Sequence, residues 1–161
     1  MQNEPVIEQV DPQGPVALSL LRQAAIEARE LYPELAQPNA PWPTNAPTPE
    51  RGVYLVAFVA GAAAASGALR PLDPQTAEVR RMFVVRGSRR RGLARAILGA
   101  LEEHARGFGF VRLRLETGNR QRSAIALYES CGFVRIEPFG DHANDPTSIC
   151  FEKRVDAGAP P

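Results

Sequence analysis

Cysteine is nearly absent: Cys131 and Cys150 are the only two in 161 residues, and neither has a further Cys or His at the close spacing of a zinc site. A disulfide framework is thereby excluded, no metal is implied, and a reducing, cytoplasmic setting is expected. A surplus of one charge is missing too. Nineteen Lys plus Arg stand against eighteen Asp plus Glu, a formal net charge of +1, so the chain as a whole has no pull toward nucleic acid or an anionic membrane. Any anion site must be local. The opening MQNEPVIEQV lacks a basic leader and an apolar run, so no secretory signal is expected. The uncharged stretch from Gly52 to Leu69 approaches a membrane span in length. Its second half is mostly Ala, Gly and Ser, however, and Gly61 divides it into two strand-sized pieces, which reads as a hairpin. What is present suffices for a core. With 44% hydrophobic residues, one domain over residues 1–155 and a frayed tail over 156–161 are expected.

Pro5 to Val10 alternate as a short strand, and Val16, Leu20, Leu21, Ala24, Ala28 and Leu31 then recur at helical spacing. Prolines at 33, 38, 41, 43, 47 and 49 fix φ and remove backbone donors, so residues 33–49 are expected to be a long, mobile loop with at most a short turn. That loop is either a lid or a tolerated insertion, and Trp42 gives it one large aromatic surface. Val53 to Ala60, Ala64 to Leu69 and Ala77 to Val85 read as an antiparallel meander, with Asp73-Pro74 turning between the last two. Leu93, Ile97, Leu101, Ala105 and Phe108 mark one face of a long helix that Gly107 and Gly109 help to end. Val111 to Thr117 returns to strand. Ala124, Leu127, Tyr128 and Cys131 share one face of a shorter helix, closed by Gly132 and Phe133. Strands near Phe133 to Glu137 and Ser148 to Val155 flank a final loop.

The most informative segment runs Val85-Arg86-Gly87-Ser88-Arg89-Arg90-Arg91-Gly92-Leu93-Ala94-Arg95, a basic turn between a strand and a helix. Unpaired amides at a helix N-terminus point one way and, with the macrodipole, make a seat for phosphate. Gly92 lets an anion approach the backbone, and arginines around it add charge-assisted hydrogen bonds. By composition alone, such a stretch is more often a solvated basic surface or a nonspecific polyanion patch than a defined site. It is neither a P-loop nor GxGxxG, which disfavours nucleotide kinases and dinucleotide dehydrogenases.

Arg89-Arg90-Arg91-Gly92-Leu93-Ala94 resembles the acyl-coenzyme A signature of the GCN5-related N-acetyltransferases, Gln or Arg-x-x-Gly-x-Gly or Ala. Glu78-Val79-Arg80-Arg81-Met82-Phe83-Val84-Val85 looks like that family's fourth strand, and Ala124 to Phe133 like its later helix motif. Three motifs in register, covering roughly Val53 to Glu137, are far more specific than one. The resemblance implies an α/β (α+β) fold with a mixed, mostly antiparallel central sheet of about six or seven strands flanked by about four helices. It further implies an acyl-CoA-dependent N-acyltransferase that moves acetyl from acetyl-CoA to an amine of a small-molecule acceptor. Neither a nucleic-acid nor a membrane partner is implied, and dimers are common among similar proteins.

Carried over by residue, the resemblance gives Val84 and Arg86 the main-chain contacts to the pantetheine arm. Arg89, Arg90, Arg91, Gly92, Leu93, Ala94 and Arg95 surround the diphosphate. The family often places Asn seven positions before the helix tyrosine, where this chain has Gln121, and Asn119 is the neighbouring substitute. Tyr128 matches the position that donates a proton to, or hydrogen-bonds, the coenzyme sulfur; its bland alternative is an amphipathic core tyrosine. Glu78 falls where some relatives place a general base, but alternation puts Arg80 on the same side, so an ordinary ion pair is the equal alternative. Glu116 is a rival base or a contact for a cationic acceptor. Cys131 reads as packing, since no acyl-enzyme is needed. Trp42, Glu116 and Phe139 are the acceptor-side candidates, with the 138–146 loop as one wall. His142 in that loop reads as solvated and stays outside the catalytic set. Two competing functions remain open. One is a noncatalytic module of this fold binding polyanion through Arg86 to Arg95; the other is a transferase of longer acyl chains, with room at Ala62 to Ala65.

Overall fold

The computed structural model describes residues 4–156; the expected tail from 157 onward lies outside them. Its elements in chain order are β1 (Val6–Gln9), α1 (Pro15–Leu31), β2 (Val53–Val59), β3 (Ala62–Asp73), β4 (Thr76–Val84), α2 (Leu93–Gly107), β5 (Arg112–Gly118), α3 (Arg122–Ser130), β6 (Val134–Ile136) and β7 (Ser148–Arg154). One seven-stranded sheet has the order β1-β2-β3-β4-β5-β7-β6. Every neighbouring pair is antiparallel except β4 with β5. The sheet matches the expectation, whereas the described residues hold three α-helices, one short of the expected number. Between α1 and β2 only Pro33–Leu35 forms a helical turn, because the prolines that follow cannot supply the donors a helix needs. The uncharged 52–69 stretch is the expected hairpin, with Ala60 and Gly61 both at positive φ in its two-residue turn. No described helix is long and apolar enough to cross a membrane.

Strand alternation divides the interior into two faces. Val53, Leu55, Leu69, Ala77, Val79, Leu113 and Leu115 point into the main core with Ile97, Leu98 and Leu101 of α2. The i, i+4 spacing of Leu93, Ile97, Leu101 and Ala105 is what buries that helix face. On the other face, Tyr54 and Ala68 pack with Ala17 of α1. Both α2 and α3 close with a left-handed glycine and an apolar follower. Gly109 has φ +86° and Phe110 N–H bonds Ala105 O at 3.0 Å; Gly132 has φ +89° and Phe133 N–H bonds Tyr128 O at 3.0 Å. The second of these stops fixes where Tyr128 sits.

β4 carries a bulge that positions the site. Ser66 pairs with Phe83 and Ala68 with Arg80, so Arg81 and Met82 share the single opposing residue Gly67. Arg81 takes φ +60° there, and its carbonyl accepts a 2.8 Å hydrogen bond from Ser66 Oγ. The 33–49 segment is tied down at several points. Asn45, buried within it, donates from Nδ2 to Pro12 O at 2.8 Å and accepts at Oδ1 from Arg81 Nε at 2.9 Å.

Candidate active site

The parallel pairing of β4 and β5 runs only from Thr76 opposite Arg112 to Val79 opposite Leu115. Beyond it β4 continues to Val84 next to β3, while Glu116, Thr117 and Gly118 follow β7. The two strands therefore part, leaving a cleft whose walls carry unpaired main-chain groups. α2 begins at its mouth.

Gly92 is the N-cap of α2 at φ +76°, ψ 14°, and no side chain caps the helix. A Cβ placed on Gly92 would meet nothing within 4 Å, so the approach is open, and the glycine is there for its backbone conformation. No backbone or side-chain acceptor among the described residues takes the amides of Arg91 to Arg95. Such uncommitted donors are a ready seat for an anion.

The arginines around this seat divide into two groups. Arg86 approaches Glu27 and Glu30 at 3.7 and 3.3 Å. Arg89 pairs with Glu27 at 2.6 Å and donates from Nε to Val84 O at 3.1 Å. Arg95 reaches Ser130 Oγ at 2.9 Å and Cys131 Sγ at 3.2 Å. Arg90 and Arg91 are exposed and enter no ion pair among the described residues. They are the two guanidinium groups free to meet an anion without giving up a partner. Asn119 and Gln121 lie exposed at the start of α3, where Gln121 is the N-cap.

At the closed end of the cleft a polar cluster forms that reading by segment did not assemble. Glu78 is buried on β4. Its Oε1 accepts from Arg70 Nε at 2.7 Å, and Arg80 Nε stands farther off at 3.9 Å. Glu78 is thus ion-paired, with the cross-strand neighbour Arg70 closer than the Arg80 that alternation offers. Glu78 Oε2 lies 3.2 Å from His142 Nε2, and His142 Nδ1 lies 3.7 Å from Glu116 Oε2. Glu116 in turn accepts a 2.5 Å bond from Ser148 Oγ. Phe139 stacks edge-on against the imidazole at 5.3 Å. The loop histidine set aside as solvated is therefore half-buried between two carboxylates. The available sequence signal was weak: an aromatic three residues earlier in a loop that precedes a strand beside β5.

Tyr128 is buried on the other side, edge-on to Phe133 at 5.8 Å and tilted against Phe151 at 6.0 Å. Burial raises its phenol well above the usual value, and Cys131 and Glu116 nearby add to the effect. A proton held so firmly stays on the oxygen at neutral pH. Trp42 lies away from the cluster, packed against α1 under the guanidinium groups of Arg29 at 3.8 Å and Arg22 at 4.6 Å.

The fold is shared with a solved acyl-CoA N-acyltransferase structure. The profile of the Acetyltransferase (GNAT) family matches residues 19–133, and the chain belongs to that family. It is 39% identical over 102 residues to the IAA acetyltransferase of Azospirillum brasilense, covering 62% of this chain and 66% of that protein. It is 38% identical over 94 residues to the uncharacterized N-acetyltransferase YsnE of Bacillus subtilis (strain 168), covering 57% and 62%. The chain thus spans less than two thirds of the length of either relative. A crystal structure from Klebsiella pneumoniae, assigned to the acyl-CoA N-acyltransferases, matches with a TM-score of 0.77 at 28% identity, covering 94% of this chain and 97% of that one.

Proposed function

We propose that this chain is an N-acyltransferase that moves acetyl from acetyl-CoA to an amine of a small-molecule acceptor in the cytoplasm. The observation that carries the reading is the set of uncommitted amides opening α2 at the mouth of the β4/β5 cleft. When bound, acetyl-CoA supplies the activated thioester. Arg90, Arg91 and the amides of Gly92 to Arg95 are the groups suited to its diphosphate. The pantetheine arm fits the parted strands. Val84 O already accepts from Arg89 but keeps a second lone pair for a ligand, and Arg86, Asn119 and Gln121 flank the same passage.

Transfer forms a nitrogen–carbon bond and breaks a carbon–sulfur bond, so a proton leaves the amine and one reaches the sulfur. Glu78, held against Arg70, orients His142. With the Nε2 proton directed at Glu78, His142 Nδ1 presents a lone pair toward Glu116 and can take the amine proton. Tyr128 keeps its proton for the departing sulfur. Cys131 is needed for neither step. Arg86 and Arg89 are committed to α1 carboxylates, which weakens the noncatalytic polyanion alternative.

Thiol release from acetyl-CoA across an amine panel tests the reading. Saturable release with at least one small amine is expected. No release with any amine, together with polyanion binding that collapses in salt, would replace it with the noncatalytic module.

A further inference from the structure

A second feature lies beside the Glu78 cluster, under the proline-rich segment. A half-open cavity of about 300 Å³ is bordered by residues 45–49, β2, β3 and the bulged part of β4. Space of that size holds roughly ten water-sized volumes, enough for a small organic molecule. Its apolar walls come from Pro12, Pro47, Pro49, Pro71, Val53 and Leu69, and its charged wall from Arg70, Arg80 and Arg81. No Asp or Glu lines it. Glu78 is the carboxylate that meets these guanidinium groups, at 2.7 Å from Arg70 and 3.9 Å from Arg80. Three cations against one carboxylate leave the wall positive.

Each arginine has a different commitment. Arg70 is engaged with Glu78. Arg81 is spent on the loop, through Asn45 Oδ1 at 2.9 Å and Thr44 O at 3.4 Å. Burial lowers Arg81 from its usual value, and the neighbouring charges of Arg80 and Arg70 act the same way. Arg80 has only the long approach to Glu78, lines the cavity and keeps guanidinium donors to spare.

Tyr54 is the independent sign that something belongs there. It lines the cavity, is 4% exposed, and its hydroxyl is buried with no hydrogen-bond partner. The Asn45 side chain lies beside it, fixed through Nδ2 to Pro12 O and through Oδ1 to Arg81, and makes no bond to the phenol at hydrogen-bond distance. A buried hydroxyl without a partner is costly and rare in folded proteins. An anionic oxygen from a ligand would satisfy it.

We propose that the acceptor is an amine that also bears a carboxylate on a compact apolar body, as apolar amino acids do, and that this cavity takes the carboxylate against Arg80 and the Tyr54 hydroxyl. The proposal rests on the transferase reading, and it extends that reading from any small amine to one chemical class. The cavity shares Arg70 and Arg80 with the Glu78 cluster, so its acid-binding wall adjoins the groups proposed to take the amine proton.

The test uses L-phenylalanine and 2-phenylethylamine, which share a body and differ in the carboxylate. Both are titrated calorimetrically into the full chain and assayed for thiol release with acetyl-CoA. L-Phenylalanine is expected to bind at least about tenfold more tightly, the effect of one charge-assisted contact. Arg80→Gln is expected to bring that ratio close to one while coenzyme binding is unchanged, and Arg80→Lys to retain part of it. Equal binding of the two compounds, binding of neither, or a preference that survives Arg80→Gln would overturn the proposal. Thiol release from 2-phenylethylamine without such a preference overturns the carboxylate site and leaves the transferase reading standing. A carboxylate preference in binding with no thiol release from any amine does the reverse.

Discussion

His142 Nε2 and Glu78 Oε2 stand 3.2 Å apart although 64 residues separate them. The fold makes this pair by laying the loop before β7 across the buried end of β4. If the pair removes the amine proton, His142→Ala should lower kcat/KM by about 10²- to 10⁴-fold with little change in coenzyme affinity. Glu78→Gln keeps the shape but removes the charge that holds the imidazole, and should lower the rate in the same direction. Wild-type turnover in His142→Ala under chemistry-limited conditions would remove the histidine from the mechanism.

Tyr128 yields a prediction with a definite sign. In the unfolded chain its phenol ionises near pH 10, whereas burial keeps it protonated above that in the native state. Above about pH 10 the native state therefore binds more protons than the unfolded one, and stability falls as pH rises. Tyr128→Phe should flatten this alkaline loss by up to one proton, read from denaturant midpoints across that range. The same variant should slow chemistry by roughly 10²-fold. An identical alkaline slope in both proteins would contradict the buried, protonated phenol.

Gly67 sits where the β4 bulge, β3 and α2 converge. A Cβ there would lie 2.5 Å from Ile97 Cγ2 and 2.8 Å from Met82 Sδ. Gly67→Ala should cost about 1–3 kcal/mol through overpacking, measured by denaturant unfolding. The damage should extend to turnover, since the bulge directs Arg80 and Arg81. Unchanged stability would mean that the core yields more readily than its packing implies.

Much of this arrangement was legible in the chain, for physical reasons that also mark the limits. Period-2 and helical spacing identified β1 to β7 and the three helices, because burial of one face writes itself into local sequence. The candidate anion seat was legible because Gly92 and the arginines lie within one turn. The polar cluster around Glu78 was not, since Glu78, Arg70, Glu116 and His142 sit on four separate segments that only the sheet order brings together. Local alternation paired Glu78 with Arg80. Cross-strand register gave the closer place to Arg70, and no local pattern encodes that register. The setting of Trp42 was hidden for a similar reason: a lone aromatic in a proline-rich stretch shows its size, while its stacking on Arg22 and Arg29 depends on where α1 lies.

Coenzyme binding to the wild type and to Arg91→Glu, measured by calorimetric titration with acetyl-CoA, goes most directly to the centre of the account. Arg91 is exposed and has no ion-pair partner among the described residues, so its reversal should leave folding intact. Saturable binding by the wild type, weakened about 10- to 100-fold or more in Arg91→Glu, is the predicted result. Equal affinity in the two proteins, or no binding in either, would contradict the claim that the open amides at the start of α2 seat the diphosphate.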